Sequence, residues 1–207
     1  MLHIQNFSKN YQIKQLTEVD LDEMLLFCQE NTTYYHYHPA QVTKELLKKD
    51  LFDIPQNKSY EDKYFVGYYE KDILIALLDL IDHFPQDHEA YIGFFMMNMA
   101  YQGSGRGTAI IDELINYLRK TGYQKIRLGI DKGNPQSEAF WTKHQFKKNR
   151  RRSPRWYIYL FTYGIVFIKK SVKKNSSYRV LYSFFCFFIN KIFEKVSLVS
   201  FFDRIIS

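Results

Sequence analysis

The chain has 207 residues, 46% of them hydrophobic, which suits one domain of ordinary size with a sizeable core. Its two cysteines, Cys28 and Cys186, stand far apart and without metal-ligand spacing, which argues against a disulfide framework and against a cysteine-held metal. The start, Met1-Leu2-His3-Ile4, lacks a basic region followed by an apolar run, so no signal peptide is expected and a reducing, cytoplasmic setting is the expectation.

The net charge of +7 conceals a split. Residues 1–146 hold 15 Lys/Arg against 20 Asp/Glu, a balance of −5, whereas residues 147–207 hold 14 against 2, a balance of +12. The basic character therefore belongs to the last 61 residues and is no nucleic-acid footprint for the whole chain.

In chain order, Tyr11 to Leu16 alternates apolar and polar residues and predicts a strand. Asp20 to Glu30 carries Leu21, Met24, Leu25 and Cys28 at helical spacing, with acids in its first turn, and predicts a helix. Tyr34-Tyr35-His36-Tyr37-His38-Pro39 reads as an aromatic loop, and Gln41 to Leu51 as a second, shorter helix. Lys63 to Tyr69 and Ile73 to Ile81 form a predicted hairpin around the turn Glu70-Lys71-Asp72. After a polar loop, Ala90 to Met97 is an apolar run of strand length, expected at the centre of a sheet. Gly105 to Lys120 places Ile110, Ile111, Leu114, Ile115 and Leu118 on one helical face, and Gly122 ends it. Lys125 to Ile130 predicts a strand, and Pro135 to His144 a helix capped by Asn134. Trp156 to Phe161 supplies a last strand. The fold class is α/β, with a mixed, mostly antiparallel, curved sheet flanked by helices.

The segment that carries chemistry is Gln102-Gly103-Ser104-Gly105-Arg106-Gly107-Thr108, between a strand and an amphipathic helix. Glycines let backbone approach a ligand at positive φ, and the unpaired N–H groups of the first helical turn then point at one spot suited to phosphate or pyrophosphate. Arg106 adds positive charge. A P-loop needs a Lys that is missing here, and a dinucleotide fingerprint needs a glycine where Thr108 stands. What remains is Gln/Arg-x-x-Gly-x-Gly/Ala, on Gln102, Gly105 and Gly107. A Gly-rich turn with no ligand is the plain alternative.

This motif resembles the pyrophosphate-binding motif of the GNAT acetyltransferases. A second run, Asn134-Pro135-Gln136-Ser137-Glu138-Ala139-Phe140-Trp141-Thr142-Lys143-His144-Gln145-Phe146, is similar to that family's Asn-x-x-Ala-x-x-Leu-Tyr-x-Lys-x-Gly-Phe, with Asn134, Lys143 and Phe146 in register. The resemblance covers roughly residues 10–162. There are two departures. Trp141 stands where the family usually has a tyrosine that protonates the departing thiolate, which an indole N–H cannot do. Gln145 replaces a glycine.

The resemblance implies direct transfer of an acetyl group from acetyl-CoA to the primary amine of a small molecule or peptide. It implies a coenzyme site on Met97, Gln102, Gly103, Ser104, Gly105, Arg106, Gly107, Thr108, Asn134 and Trp141. Met97 would supply a backbone N–H to the thioester oxygen. Glu89, 13 residues before Gln102, has the offset of the catalytic glutamate of some of these enzymes; the alternative is an exposed strand-end carboxylate. For the acceptor, Tyr35, His36, His38 and Asp79 are the residues expected to line its pocket, and a plain surface loop is the alternative for the first three. No metal is expected, and a homodimer is one assembly the resemblance implies. An alkyl amine with pKa ~10.4 carries a proton at pH 7, a deficit of about 4.6 kcal/mol that a base or water relay must overcome. The thiol, at pKa ~8.5, needs no dedicated acid, so Trp141 is compatible with turnover.

The organisation expected is a GNAT-like acyl-CoA N-acyltransferase domain over 1–164 and a basic, Phe-rich tail over 165–207. Trp156 to Ile168 is uncharged but has only 13 residues, short of the ~20 that span a bilayer, and Leu181 to Phe202 is interrupted by Lys191, Glu194 and Lys195. One reading of the tail is a segment that touches an anionic membrane or nucleic acid, which would make the chain a membrane- or RNA-associated protein. The other, preferred, is a frameshift product, because residues 147–207 contain no Ala, Gln, His or Met. A non-catalytic acyl-CoA-binding module is the remaining functional alternative.

Overall fold

The computed structural model of the chain describes residues 1–38, 40–149 and 160–167. The elements are β1 (Gln12–Gln15), α1 (Leu21–Glu30), α2 (Thr32–Tyr37), α3 (Lys44–Phe52), β2 (Lys63–Glu70), β3 (Ile73–Ile81), β4 (Glu89–Met97), α4 (Arg106–Lys120), β5 (Lys125–Asp131), α5 (Pro135–Lys143), β6 (Lys147–Lys148) and β7 (Leu160–Val166). They build a seven-stranded sheet in the order β1-β2-β3-β4-β5-β7-β6, in which only β4 and β5 run parallel.

Each face of the sheet buries one apolar layer. Ile110, Ile111, Leu114 and Leu118 of α4, all fully buried, pack on Val66, Tyr68, Ile92, Ile126 and Leu128. On the other face Leu21, Met24 and Phe27 of α1 and Leu47 and Leu51 of α3 pack on Phe65, Leu77 and Met96. The two helical stripes read from the sequence are thus the two faces of a three-layer domain. Helix α3 begins three residues later than Gln41 because the Thr43 side chain caps it, accepting from the Leu46 N–H at 3.1 Å.

The aromatic loop is a correction. Thr32–Tyr37 is a short helix, although threonine and tyrosine are weak helix formers. Tertiary contact overrides propensity there: the Tyr34 ring meets Phe94 edge-on at 5.6 Å. The last strand is also displaced, running Leu160–Val166 and pairing with β5 along its whole length, whereas Trp156 lies outside the described residues. So does the basic tail beyond residue 167. Among the described residues no helix is long and apolar enough to cross a membrane.

Gln145 stands in the left-handed region at φ +66°, so the turn that follows α5 survives without a glycine at the cost of backbone strain. Gln145→Gly is expected to raise the unfolding free energy by ~0.5–1 kcal/mol, read as a later urea midpoint at unchanged slope.

Candidate active site

Pairing between β4 and β5 covers Glu89–Ile92 against Lys125–Leu128 and then stops, while β4 stays paired to β3 as far as Met97 and β5 to β7 as far as Asp131. A wedge therefore opens in the middle of the sheet. The Asn98 N–H donates to the Ile75 carbonyl at 2.8 Å, which sets the parity of the antiparallel ladder. By that alternation the N–H groups of Phe95 and Met97 point away from β3, into the wedge, where no strand among the described residues takes them up.

A cleft of about 360 Å³ occupies this place. One wall is the strand segment Phe95–Met97, another the turn after it, and a third α5. The turn is set by Gly105, which caps α4 at φ +83°, a conformation in which a Cβ would meet nothing within 4 Å but the backbone would be strained. The first helical bond runs from the Ala109 N–H to the Gly105 carbonyl at 3.1 Å, so the amides of Arg106, Gly107 and Thr108 have no partner within the helix. The α4 N-terminus, with its positive dipole end, faces the cleft through Gly105, Gly107 and Thr108. Gln102 ties the walls together. Its Nε2 donates to Asn31 Oδ1 at 2.6 Å and to the Met97 carbonyl at 3.2 Å, and its Oε1 accepts from Gln136 at 3.3 Å.

Of the residues assigned to the coenzyme, Met97, Gln102, Gly103, Gly105, Gly107, Thr108, Asn134 and Trp141 line the cleft together. Ser104 and Arg106 do not. The Ser104 hydroxyl donates to the Tyr101 carbonyl at 2.5 Å, and Arg106 turns outward to Glu70 at 2.9 Å and stacks on the Tyr101 ring at 4.6 Å. Asn134 caps α5 by accepting from the Ser137 N–H at 2.9 Å, and it also lines the cleft. Trp141 is an apolar wall, 5% exposed and packed against Phe95, Phe140 and Phe146.

The expected proton acceptor lies apart from the cleft. Glu89 heads β4 at its closed end, about 13 Å of strand before the wedge, and does not line the cleft. Its carboxylate is held by Arg127 at 2.5 Å and Lys125 at 3.7 Å. The offset from Gln102 counted residues along a strand and said nothing of the neighbouring strand, whose Arg127 claims the carboxylate. Glu89→Gln is expected to cost roughly 1–3 kcal/mol of stability, because it weakens a largely buried charged pair, and to leave acetyl-CoA affinity unchanged in calorimetry.

The acceptor-side residues are dispersed. Tyr35 bonds the Cys28 thiol, which burial pushes up to about 11. His36 packs edge-on against Tyr37 at 4.8 Å. Asp79 is buried against Lys63 at 2.9 Å, and burial, opposed by that lysine, raises its carboxyl to about 6. Tyr35 and His38 lie beside the cleft without lining it, their rings 5.0 and 5.3 Å from that of Tyr34, which is a cleft residue. Gln136, Ser137, Phe140 and Lys143 also line the cleft and went unassigned, although their i, i+4, i+7 spacing after Asn134 marks one face of α5. Among the described residues no group of three or more His, Cys, Asp or Glu is placed to hold a metal ion.

A model of the acetyltransferase (GNAT) family matches residues 25–146. Among curated proteins none matches the chain by sequence. Solved structures with the same fold include an acetyltransferase from Thermus thermophilus, 15% identical at a TM-score of 0.64, covering 80% of this chain and 100% of that one. They include the PaiA N-acetyltransferase from Thermoplasma acidophilum in complex with coenzyme A, 17% identical at 0.56, covering 76% and 99%. A ribosomal-protein-alanine N-acetyltransferase from Brucella melitensis is 18% identical at 0.52, covering 75% and 99%. At these identities the likeness is one of fold.

Proposed function

Because the chain belongs to the GNAT acetyltransferase family, we propose that it transfers an acetyl group from acetyl-CoA directly to the primary amine of a small molecule or peptide. The observation that carries this reading is the meeting, in one cleft, of the free α4 amides at Gly105–Thr108 with the wedge-facing N–H of Met97. The first suits the pyrophosphate of the coenzyme. The second suits the thioester oxygen as charge develops on it during attack, the moment at which a fixed donor lowers a barrier most. Asn134 and the α5 face from Gln136 to Lys143, which line the cleft, would contact the pantetheine arm. Holding both reactants in the wedge supplies proximity. The balance of −5 over residues 1–146 favours a cationic acceptor over an acidic one.

The test is a calorimetric titration of acetyl-CoA into the full chain, followed by a screen of amines for release of the coenzyme A thiol. Micromolar binding and amine-dependent thiol release are the expected results. A folded chain that binds no acetyl-CoA would sink the reading.

A further inference from the structure

Among the described residues three histidines lie within 4 Å of a carboxylate. His83 is one, its Nε2 3.6 Å from the adjacent Asp82, and neither of those two lines the cleft. His144 Nδ1 lies 3.0 Å from Asp112, but its ring is 2% exposed and its Nε2 is buried without a partner among the described residues, so a proton has no route there. His38 differs. Its Nδ1 lies 3.2 Å from Asp131 Oδ2, the aspartate is 6% exposed, and the imidazole keeps 32% of its surface open. Asp131 is the last residue of β5, on the strand that forms one edge of the wedge and three residues before the cleft residue Asn134. Ile126, Leu128 and Ile130 belong to the core under α4, so by strand alternation Asp131 points to the opposite face, where α2 lies. His38 stacks at 5.3 Å on the ring of Tyr34, which lines the cleft.

We propose that His38, oriented by Asp131, accepts the proton of the acceptor ammonium; this rests on the acetyl-transfer reading above. A carboxylate only accepts hydrogen bonds, so the Nδ1 that faces Asp131 carries the hydrogen and Nε2 is left with its lone pair. The groups facing His38 are Asp131 from β5, Asp50 from α3 and the phenols Tyr34 and Tyr35 from its own helix. The nearby Lys63 is engaged by Asp79.

In the step itself the ammonium gives one proton to Nε2 through one bridging water, since His38 does not itself line the cleft. The neutral amine attacks the thioester carbonyl carbon, the C–N bond forms and the C–S bond breaks. The nitrogen sheds its second proton, the coenzyme A thiolate takes one up, and one proton in net passes to solvent.

The experiment uses the full chain with acetyl-CoA, and spermidine, a free-N-terminus alanyl peptide and ethanolamine as acceptor probes. His38→Gln is expected to lower kcat/KM for the amine about 100-fold at pH 7. Acetyl-CoA affinity by calorimetry stays unchanged. The deficit shrinks as pH rises toward ~10, because the amine then arrives already neutral. Asp131→Asn gives a smaller loss with the same pH trend, and it carries the test should His38→Gln fail to fold. A His38→Gln enzyme as fast as its parent, or slowed equally at every pH, overturns the proposal. So does an absence of transfer to every probe in a chain that binds acetyl-CoA. Failure of the parent to bind acetyl-CoA at all identifies the broader reading as the one at fault, and this proposal falls with it.

Discussion

Gly105→Glu is expected to lose at least ~100-fold in acetyl-CoA affinity, about 2.8 kcal/mol or more, in a chain that still folds. Two effects act together. At φ +83° a residue with a side chain incurs a backbone strain of ~1–2 kcal/mol, which a domain of this size tolerates. The space around a Cβ at this position is open, so no steric collapse follows. The new carboxylate stands at the N-terminus of α4, where it claims the amides of Gly107 and Thr108 and repels the pyrophosphate they would bind. Gly105→Ala isolates the strain, and its affinity loss should be much the smaller. Calorimetric titration beside urea denaturation separates the two terms. Equal affinity in the Glu variant and the parent would mean that the coenzyme does not sit on this helix end.

Lys63→Met is expected to cost about 3–5 kcal/mol of stability, among the largest single losses available to this fold. Lys63 is 6% exposed, with its Nζ 2.9 Å from Asp79 Oδ2, and Asp79 Oδ1 has no partner among the described residues. The aspartate is pressed under β4: a Cβ at Gly93 would come within 2.6 Å of its Oδ2, which is why the strand carries glycine opposite it. Removing the lysine leaves a buried carboxylate with no charge partner. The double variant Lys63→Met with Asp79→Leu should recover most of the loss, since apolar packing can replace a buried ion pair. The pH dependence has a definite sign. Burial raises the Asp79 carboxyl to about 6 in the folded chain, above the ~3.9 of an unfolded one. Its favourable contribution is therefore fully present below ~3.9 and is lost as pH climbs through about 6, an effect on the order of 2–3 kcal/mol. Unfolding free energies at pH 4.5 and 7.5 should differ in this direction between the parent and Asp79→Asn. Parallel curves would remove the argument.

Much of the molecule was legible in the residues because its signals are local. The α4 stripe from Ile110 to Leu118 is one helical face and nothing else, and it is buried as such. The turn Gln102–Thr108 is legible for the same reason: helical N–H groups are free at any N-terminus, and glycine at Gly105 is what positive φ demands. The reading of α2 as a loop failed because propensity is a weak prior against packing, and Tyr34 is held by Phe94 from a strand far away in sequence.

The residues alone specified the alternation of elements, the glycine turn at Gln102–Thr108 and the family pattern over two motifs. Tertiary structure alone decided which carboxylates are free. Glu89, Asp79 and Asp131 look alike as acids at or near strand ends. Strand register gives the first to Arg127, a buried lysine takes the second, and the short helix α2 brings His38 to the third. A charge acquires its role from its neighbours within ~4–6 Å, and in a sheet those neighbours come from other strands, at separations no periodicity encodes.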